Sequence, residues 1–195
     1  KKTRLQTASE AGALITFAAE QNSSPIGAVF FDSSINFSYS PKSGREHAMV
    51  LVNKLDKIKK NRKPGSVLSN AIRGANNFLK KPSLVVIISD FRTSKYENEL
   101  ASLAVKHDVL AICITDPTDT DFPNIGSLNF YDTESNEVQL LPTSNENFRK
   151  SWKSYNQNRR DNFQKFCVHH GVSPIFLSTQ DDPVFVLNRF YLRKL

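Results

Sequence analysis

The stretch SLVVIISDF (83–91) decides the fold. Leu84 to Ile88 are apolar in succession and mostly β-branched, which is the composition of a strand. They do not alternate with polar residues, so both faces of the strand must be covered. The run then stops at a carboxylate, Asp90. Two further stretches are of the same kind, VLAICIT (109–115) and VSPIFLS (172–178), and helical patterns separate them. Helices alternating with continuously apolar strands predict an α/β fold, a mostly parallel sheet with helices on both faces. In that Rossmann-like architecture functional side chains gather where strands end, at the carboxyl edge. Asp90 and Asp116 both stand at such ends.

Outward from this core, residues 3–21 read as a helix that is apolar from Ala11 to Ala19 apart from Thr16, which predicts burial around most of its circumference. IGAVFF (26–31) reads as a short buried strand. INFSYS (35–40) alternates and completes an antiparallel edge hairpin. Ser43 with Glu46, Ser94 with Glu97, and Thr143 with Glu146 have capping-box spacing and predict three helix starts. SVLSNAIRGANNFLKK (66–81) reads as a helix, and SLNFYD with EVQLLP as a second hairpin. A long helix to about His170 carries Phe148, Trp152, Tyr155, Phe163 and Phe166 near helical spacing, which predicts that they pack inward. Asp182 followed by Pro183 opens the last helix. Residues 1–195 read as a single domain, with no repeat and no domain-sized linker.

Composition sets the outer bounds. The net charge of +7 favours acidic partners without choosing among them. Cys113 and Cys167 make no disulfide framework and read as buried thiols in a reducing compartment. No apolar run approaches the ~20 residues of a membrane span, and no secretory h-region follows Lys1 and Lys2. The chain lacks an initiator Met, so its natural start is expected upstream.

Taken together, several segments resemble one bacterial family, that of unknown function number 58. They are the strand ending in Ser-Asp, KHDVLAICITDP (106–117), FPNIGSLNFYDTES (122–135), IGAVFF, GSVLSNAI (65–72) and the terminal NRFYLRKL. The resemblance implies a von Willebrand factor A-like domain, a three-layer fold that can carry a metal-ion-dependent adhesion site. In such domains a divalent ion such as Mg2+ is held by an Asp-x-Ser-x-Ser strand, a Thr before a helix, and a later Asp. Ser66 falls where the Thr belongs and Asp90 where the last Asp belongs. The Asp-x-Ser-x-Ser strand is not in this chain, so the resemblance implies a first strand missing at the N-terminus and an incomplete metal site. Its central place is then expected to be filled by a swapped element, a second chain in a homo-oligomer, or a rearranged strand order. The resemblance further implies a non-enzymatic protein-protein interaction domain. It would work with a MoxR-type AAA+ ATPase in protein maturation or assembly, on the cytoplasmic side of a membrane and tethered there by segments outside this chain.

Each site residue also has a plainer reading. Asp90 as a hard oxygen donor suits Mg2+, and Asp at a strand end also satisfies turn N–H groups. Ser66 follows Gly65 and suits a helix cap; its two lone pairs allow both roles. Asp116 reads as the loop-starting residue of an Asp-Pro pair, or as an outer-shell acid. A metal-dependent hydrolase using Asp90 and Asp116 is one rival function. A nucleic-acid binder is another: residues 53–64 carry six basic residues against Asp56, and residues 144–171 carry six against two acidic ones. Solvated faces are the preferred explanation of those charges, because Phe148, Trp152 and Tyr155 lie at core spacing rather than free for stacking. His47, His107, His169 and His170 have no metal-ligand spacing, the glycines form no phosphate-cradling loop, and no nucleophile stands beside a base.

Overall fold

The computed structural model describes residues 2–57, 67–93, 95–131 and 138–194. Three parallel strands form its centre: β3 (Leu84–Ser89), β4 (Asp108–Thr115) and β7 (Ser173–Ser178), in the order β3-β4-β7. Ile87 sits beside Ala111, and Ile112 beside Ile175. β4 is paired on both sides, and Val109 through Ile114 are all buried.

The two-residue strand period divides the core between two faces. Val109, Ala111 and Cys113 join Leu68 and Ile72 of α3 (Leu68–Phe78), Leu100 and Leu103 of α4 (Glu97–Lys106), and Phe163 and Cys167 of α5 (Glu146–His169). Leu110, Ile112 and Ile114 face the other way. They meet Ala11 of α1 (Arg4–Gln21) and Leu187 of α6 (Pro183–Lys194). The layers are helix, sheet, helix, as the unbroken apolar strands predict.

Two hairpins stand outside this sheet. β1 (Ile26–Phe31) pairs antiparallel with β2 (Ile35–Lys42), and β5 (Ser127–Tyr131) with β6 (Val138–Pro142); residues 132–137 lie outside the described residues. The Asp32 carboxylate accepts the Ser34 amide at 3.0 Å and shapes the first turn. A register shift falls between Ile26 and Ala28. A Cβ at Gly27 would stand 2.6 Å from the Tyr39 carbonyl oxygen, so only glycine lets the strands close there. The hairpin was expected as the edge of the main sheet. It is instead a two-stranded sheet of its own, without a backbone ladder to β3. IGAVFF is consequently half-buried rather than buried, and Val29 is exposed.

Helix starts differ from the capping pattern in instructive ways. α1 carries an unanticipated capping box: the Gln6 amide donates to Thr3 Oγ1 at 3.2 Å, and the Thr3 amide to Gln6 Oε1 at 2.8 Å. α2 (Arg45–Asp56) starts after Gly44 without a side-chain cap, and Ser43 donates instead to the Ser23 carbonyl. α5 is capped by Asn145, not Thr143. Asn145 Oδ1 accepts the Asn147 and Phe148 amides, while Thr143 is buried and donates to the Gly126 carbonyl at 2.5 Å. Ser94 lies outside the described residues. Asp182 accepts the Val184 amide at 2.9 Å at the start of α6, as its Asp-Pro signal indicates.

α1 buries only Thr7, Ala11 and Thr16 deeply, and Phe17 is exposed; one face carries the contact rather than most of the circumference. Tyr155 is likewise exposed on α5, whereas Phe163 is buried.

Burial predicts a steep contrast along the sheet. Ile112→Ala, at a fully buried site on β4, should cost about 2–5 kcal/mol in urea unfolding. Leu84→Ala, at a site 58% exposed on β3, should cost less than about 1 kcal/mol.

Candidate functional site

Strand β3 ends in a tight reversal. The Asp90 carboxylate accepts the Arg92 amide at 3.2 Å, and Phe91 takes a left-handed backbone with φ of 49°. That conformation is uncommon for a residue with a Cβ. Burial of its ring holds it, with Tyr96 at 5.5 Å and Phe163 at 4.6 Å between centroids. The reversal leaves Asp90 on the carboxyl rim and turns Arg92 back over it.

Strand β4 ends in a second built turn. Asp116 caps the short helix Pro117–Asp119, accepting the Thr118 amide at 3.0 Å and its hydroxyl at 2.7 Å. Its other oxygen accepts the Thr179 hydroxyl at 2.7 Å, which ties the end of β7 to the end of β4. The loop-starting reading of Asp116 is the one observed.

Asp119 is the centre of this rim. Its carboxylate is buried; Oδ2 accepts the Asp116 amide at 2.9 Å, and Oδ1 accepts Arg4 Nη2 at 2.5 Å together with Arg92 Nη2. Arg4 also reaches Asp90 at 3.5 Å. The start of α1 and the ends of β3 and β4 thus meet on one carboxylate. Burial pushes the Arg92 guanidinium below its ordinary pKa, and the Asp119 charge opposes that shift. Trp152 Nε1 donates to the Thr118 carbonyl at 2.9 Å, fixing the same turn to α5.

Sequence reasoning did not find Asp119, Arg4 or Arg92. The spacing Asp116-Pro-Thr-Asp119 is a capping-box signal that could have shown the first. The arginines come from distant segments and carry no local signal.

Asp90 stands at the rim, as expected. Ser66, the other expected metal ligand, lies outside the described residues. Among the described residues no group of three or more His, Cys, Asp or Glu is placed to hold a metal ion. Asp90 is the carboxylate such an ion would need, and it already faces a guanidinium. The described donors therefore do not by themselves fit Mg2+, which takes six oxygens in near-octahedral array. Asp116 has both oxygens engaged by its own turn and by Thr179, so Asp90 and Asp116 do not stand as a free carboxylate pair. Residues 58–66, which hold most of one basic segment, lie outside the described residues. No helix among the described residues is long and apolar enough to cross a membrane.

Both cysteines are buried, as their apolar settings predict. Burial raises the Cys113 thiol to about 11 and the Cys167 thiol to about 12, and raises the Tyr96 hydroxyl as well. Such thiols are poor nucleophiles at neutral pH.

Two outcomes follow for the rim and its surroundings. Asp119→Ala leaves two partly buried guanidinium groups without their shared acceptor. It should lower stability by about 2–4 kcal/mol in urea unfolding, discounted because both arginines remain partly hydrated. Second, a thiol whose folded pKa is raised favours the fold below its unfolded value, 9.0 for cysteine. Stability should therefore stay level up to about pH 9 and fall from there towards pH 12, as seen in melting curves across that range.

A family model described as "Protein of unknown function DUF58" matches residues 1–162. The uncharacterized protein Rv1480 of Mycobacterium tuberculosis and the uncharacterized protein Mb1516 of Mycobacterium bovis are each 28% identical over 133 residues. That alignment covers 66% of this chain and 41% of each relative. The uncharacterized protein MAV169 of Mycobacterium avium is 35% identical over 69 residues, 35% of this chain and 41% of the relative. The aligned part is thus less than half the length of each of these curated relatives. No solved structure gave a significant match.

Proposed function

The chain belongs to the DUF58 family, and from that premise we propose that it is a von Willebrand A-like domain that captures another protein on its carboxyl rim and performs no chemistry of its own. The observation that carries this reading is the Arg4–Asp119–Arg92 cluster, with Asp90 beside it at the ends of β3 and β4. Three sequence-distant segments are cross-braced to present charged groups at the edge where such sheets hold ligands. Arg4 and Arg92 keep 31% and 29% of their side chains exposed, and Asp90 keeps 39%. A partly hydrated array of both signs suits the charged rim of a protein interface.

The partner proposed is a MoxR-type AAA+ ATPase, in work that matures or assembles other proteins. An acidic side chain of that partner would meet the exposed faces of Arg4 and Arg92. A divalent ion shared between Asp90 and Ser66 is the second element of the proposal. It would give the same acidic group an additional anchor.

Affinity capture with the rim intact or altered tests both elements. Arg92→Ala should weaken capture of the ATPase at least tenfold, and Asp90→Ala should do the same, with the melting temperature held within about 2 °C, where an ion on Asp90 meets the partner's acidic group. EDTA should weaken capture only if an ion takes part. Unchanged capture by Asp90→Ala and by Arg92→Ala together would sink the rim as the docking surface.

A further inference from the structure

The edge of the sheet opposite the Asp119 cluster is built from strand starts and helix ends. α4 ends at Lys106 and β4 begins at Asp108, while α5 ends at His169 and β7 begins at Ser173. α3 ends at Phe78 and leads to the start of β3 at Leu84. α6 starts just past β7 and returns along the sheet. Its Phe190 lines a dimple of about 70 Å³ together with Leu84, Asp108, Gly171 and Ser173. These ends share one edge, the amino rim.

Large apolar side chains stand in water along it. Phe78, Leu84, Val168 and Leu192 are each more than half exposed, and Val105 is 85% exposed. Single exposed apolar residues are ordinary. Here they fall together, in the last turns of α3, α4, α5 and α6 and at the first residue of β3. Lys80, Lys81 and Lys106 stand exposed among them, with Asp108 as an acidic neighbour. The carboxyl rim is the reverse, for Asp90, Asp116, Asp119, Asp181 and Asp182 gather there. The molecule is polarised along its strands, and the amino rim displays part of its surplus charge of +7. A cation in a last helical turn complements the helix dipole, which accounts for Lys106 but not for the apolar side chains beside it.

We propose that the amino rim is a peripheral docking face for an anionic phospholipid bilayer. Phe78, Leu84, Val105, Val168 and Leu192 enter the acyl boundary, while Lys80, Lys81 and Lys106 reach headgroup phosphates. Apolar side chains interspersed with lysine suit lipid better than protein, because the buried parts of protein interfaces are depleted of lysine. A second copy of this chain is disfavoured by charge, since a two-fold interface sets the same lysines against one another. Contact is with the bilayer surface, for no described helix is long and apolar enough to cross it. β4 spans eight residues, or about 25 Å at the usual strand rise, so the Asp119 cluster faces away from the lipid. This inference rests on exposure and charge at the amino rim and is independent of the docking reading of the opposite rim.

Co-sedimentation with vesicles tests it, comparing equal parts of phosphatidylglycerol and phosphatidylcholine with phosphatidylcholine alone. Binding to the mixed vesicles should be at least tenfold tighter. Lys80→Gln, Lys81→Gln and Lys106→Gln together should remove that preference. Val105→Ser with Leu192→Ser keeps the net charge and should still weaken binding about fivefold, with the melting temperature unchanged because both sites are exposed. Position is read by fluorescence. A tryptophan placed by Val105→Trp should be quenched by lipids brominated in their chains, whereas Trp152 in the unaltered protein, at the other rim, should not. No binding to the mixed vesicles, the result expected if the rim instead meets an acidic protein, would overturn the inference. So would equal binding to phosphatidylcholine alone, or quenching of Trp152 in the unaltered protein. Full binding by the serine variant would reduce the contact to diffuse attraction by net charge and overturn it as well.

Discussion

Asp119 is where the molecule is tied together. Its one carboxylate receives the first helix through Arg4, the end of β3 through Arg92, and its own turn through the Asp116 amide. A buried carboxylate is expensive to desolvate and persists only when its lone pairs are met. Here they are met by groups far apart in sequence, so the charge balance holds only in the folded arrangement. The reversal at Phe91 belongs to the same constraint. Its left-handed backbone is what swings Arg92 back across the rim, and the aromatic packing beneath it keeps that conformation in place.

The layered core was readable because its signal is local and redundant. Leu84 to Ile88, Val109 to Ile114 and the strand after Val172 each declare a doubly covered strand by composition alone. Alternation along β4 then assigns side chains to two helical layers. Hairpin patterns were equally legible, since turn residues and period-2 alternation lie side by side in the chain. Capping was less so. Ser43 and Thr143 have the right spacing, but each hydroxyl found a carbonyl across the fold, and Asn145 took the cap that Thr143 seemed to offer.

The rim was half legible. A carboxylate closing a greasy strand marks Asp90, and Asp-Pro marks the turn at Asp116. The residues that bind these ends together were hidden for a physical reason. Arg4 lies on a helix whose sequence reads only as an apolar face, and Arg92 gains its role from a backbone reversal that no pattern announces. The separation of the β1–β2 hairpin from the main sheet is another long-range property. IGAVFF reads as a buried strand because its composition asks for two neighbours, and among the described residues the half-buried strand pairs with β2 alone.

Trp152, the single tryptophan of the chain, sits where the rim meets α5. Its indole N–H holds the Thr118 carbonyl at 2.9 Å, and its ring meets Phe122 edge-on at 5.2 Å. The half-buried indole therefore shares the geometry of the turn that carries Asp116 and Asp119. Its fluorescence is an intrinsic optical gauge of that turn. A shift in emission on adding a ligand would register an event at the carboxyl edge without any attached dye.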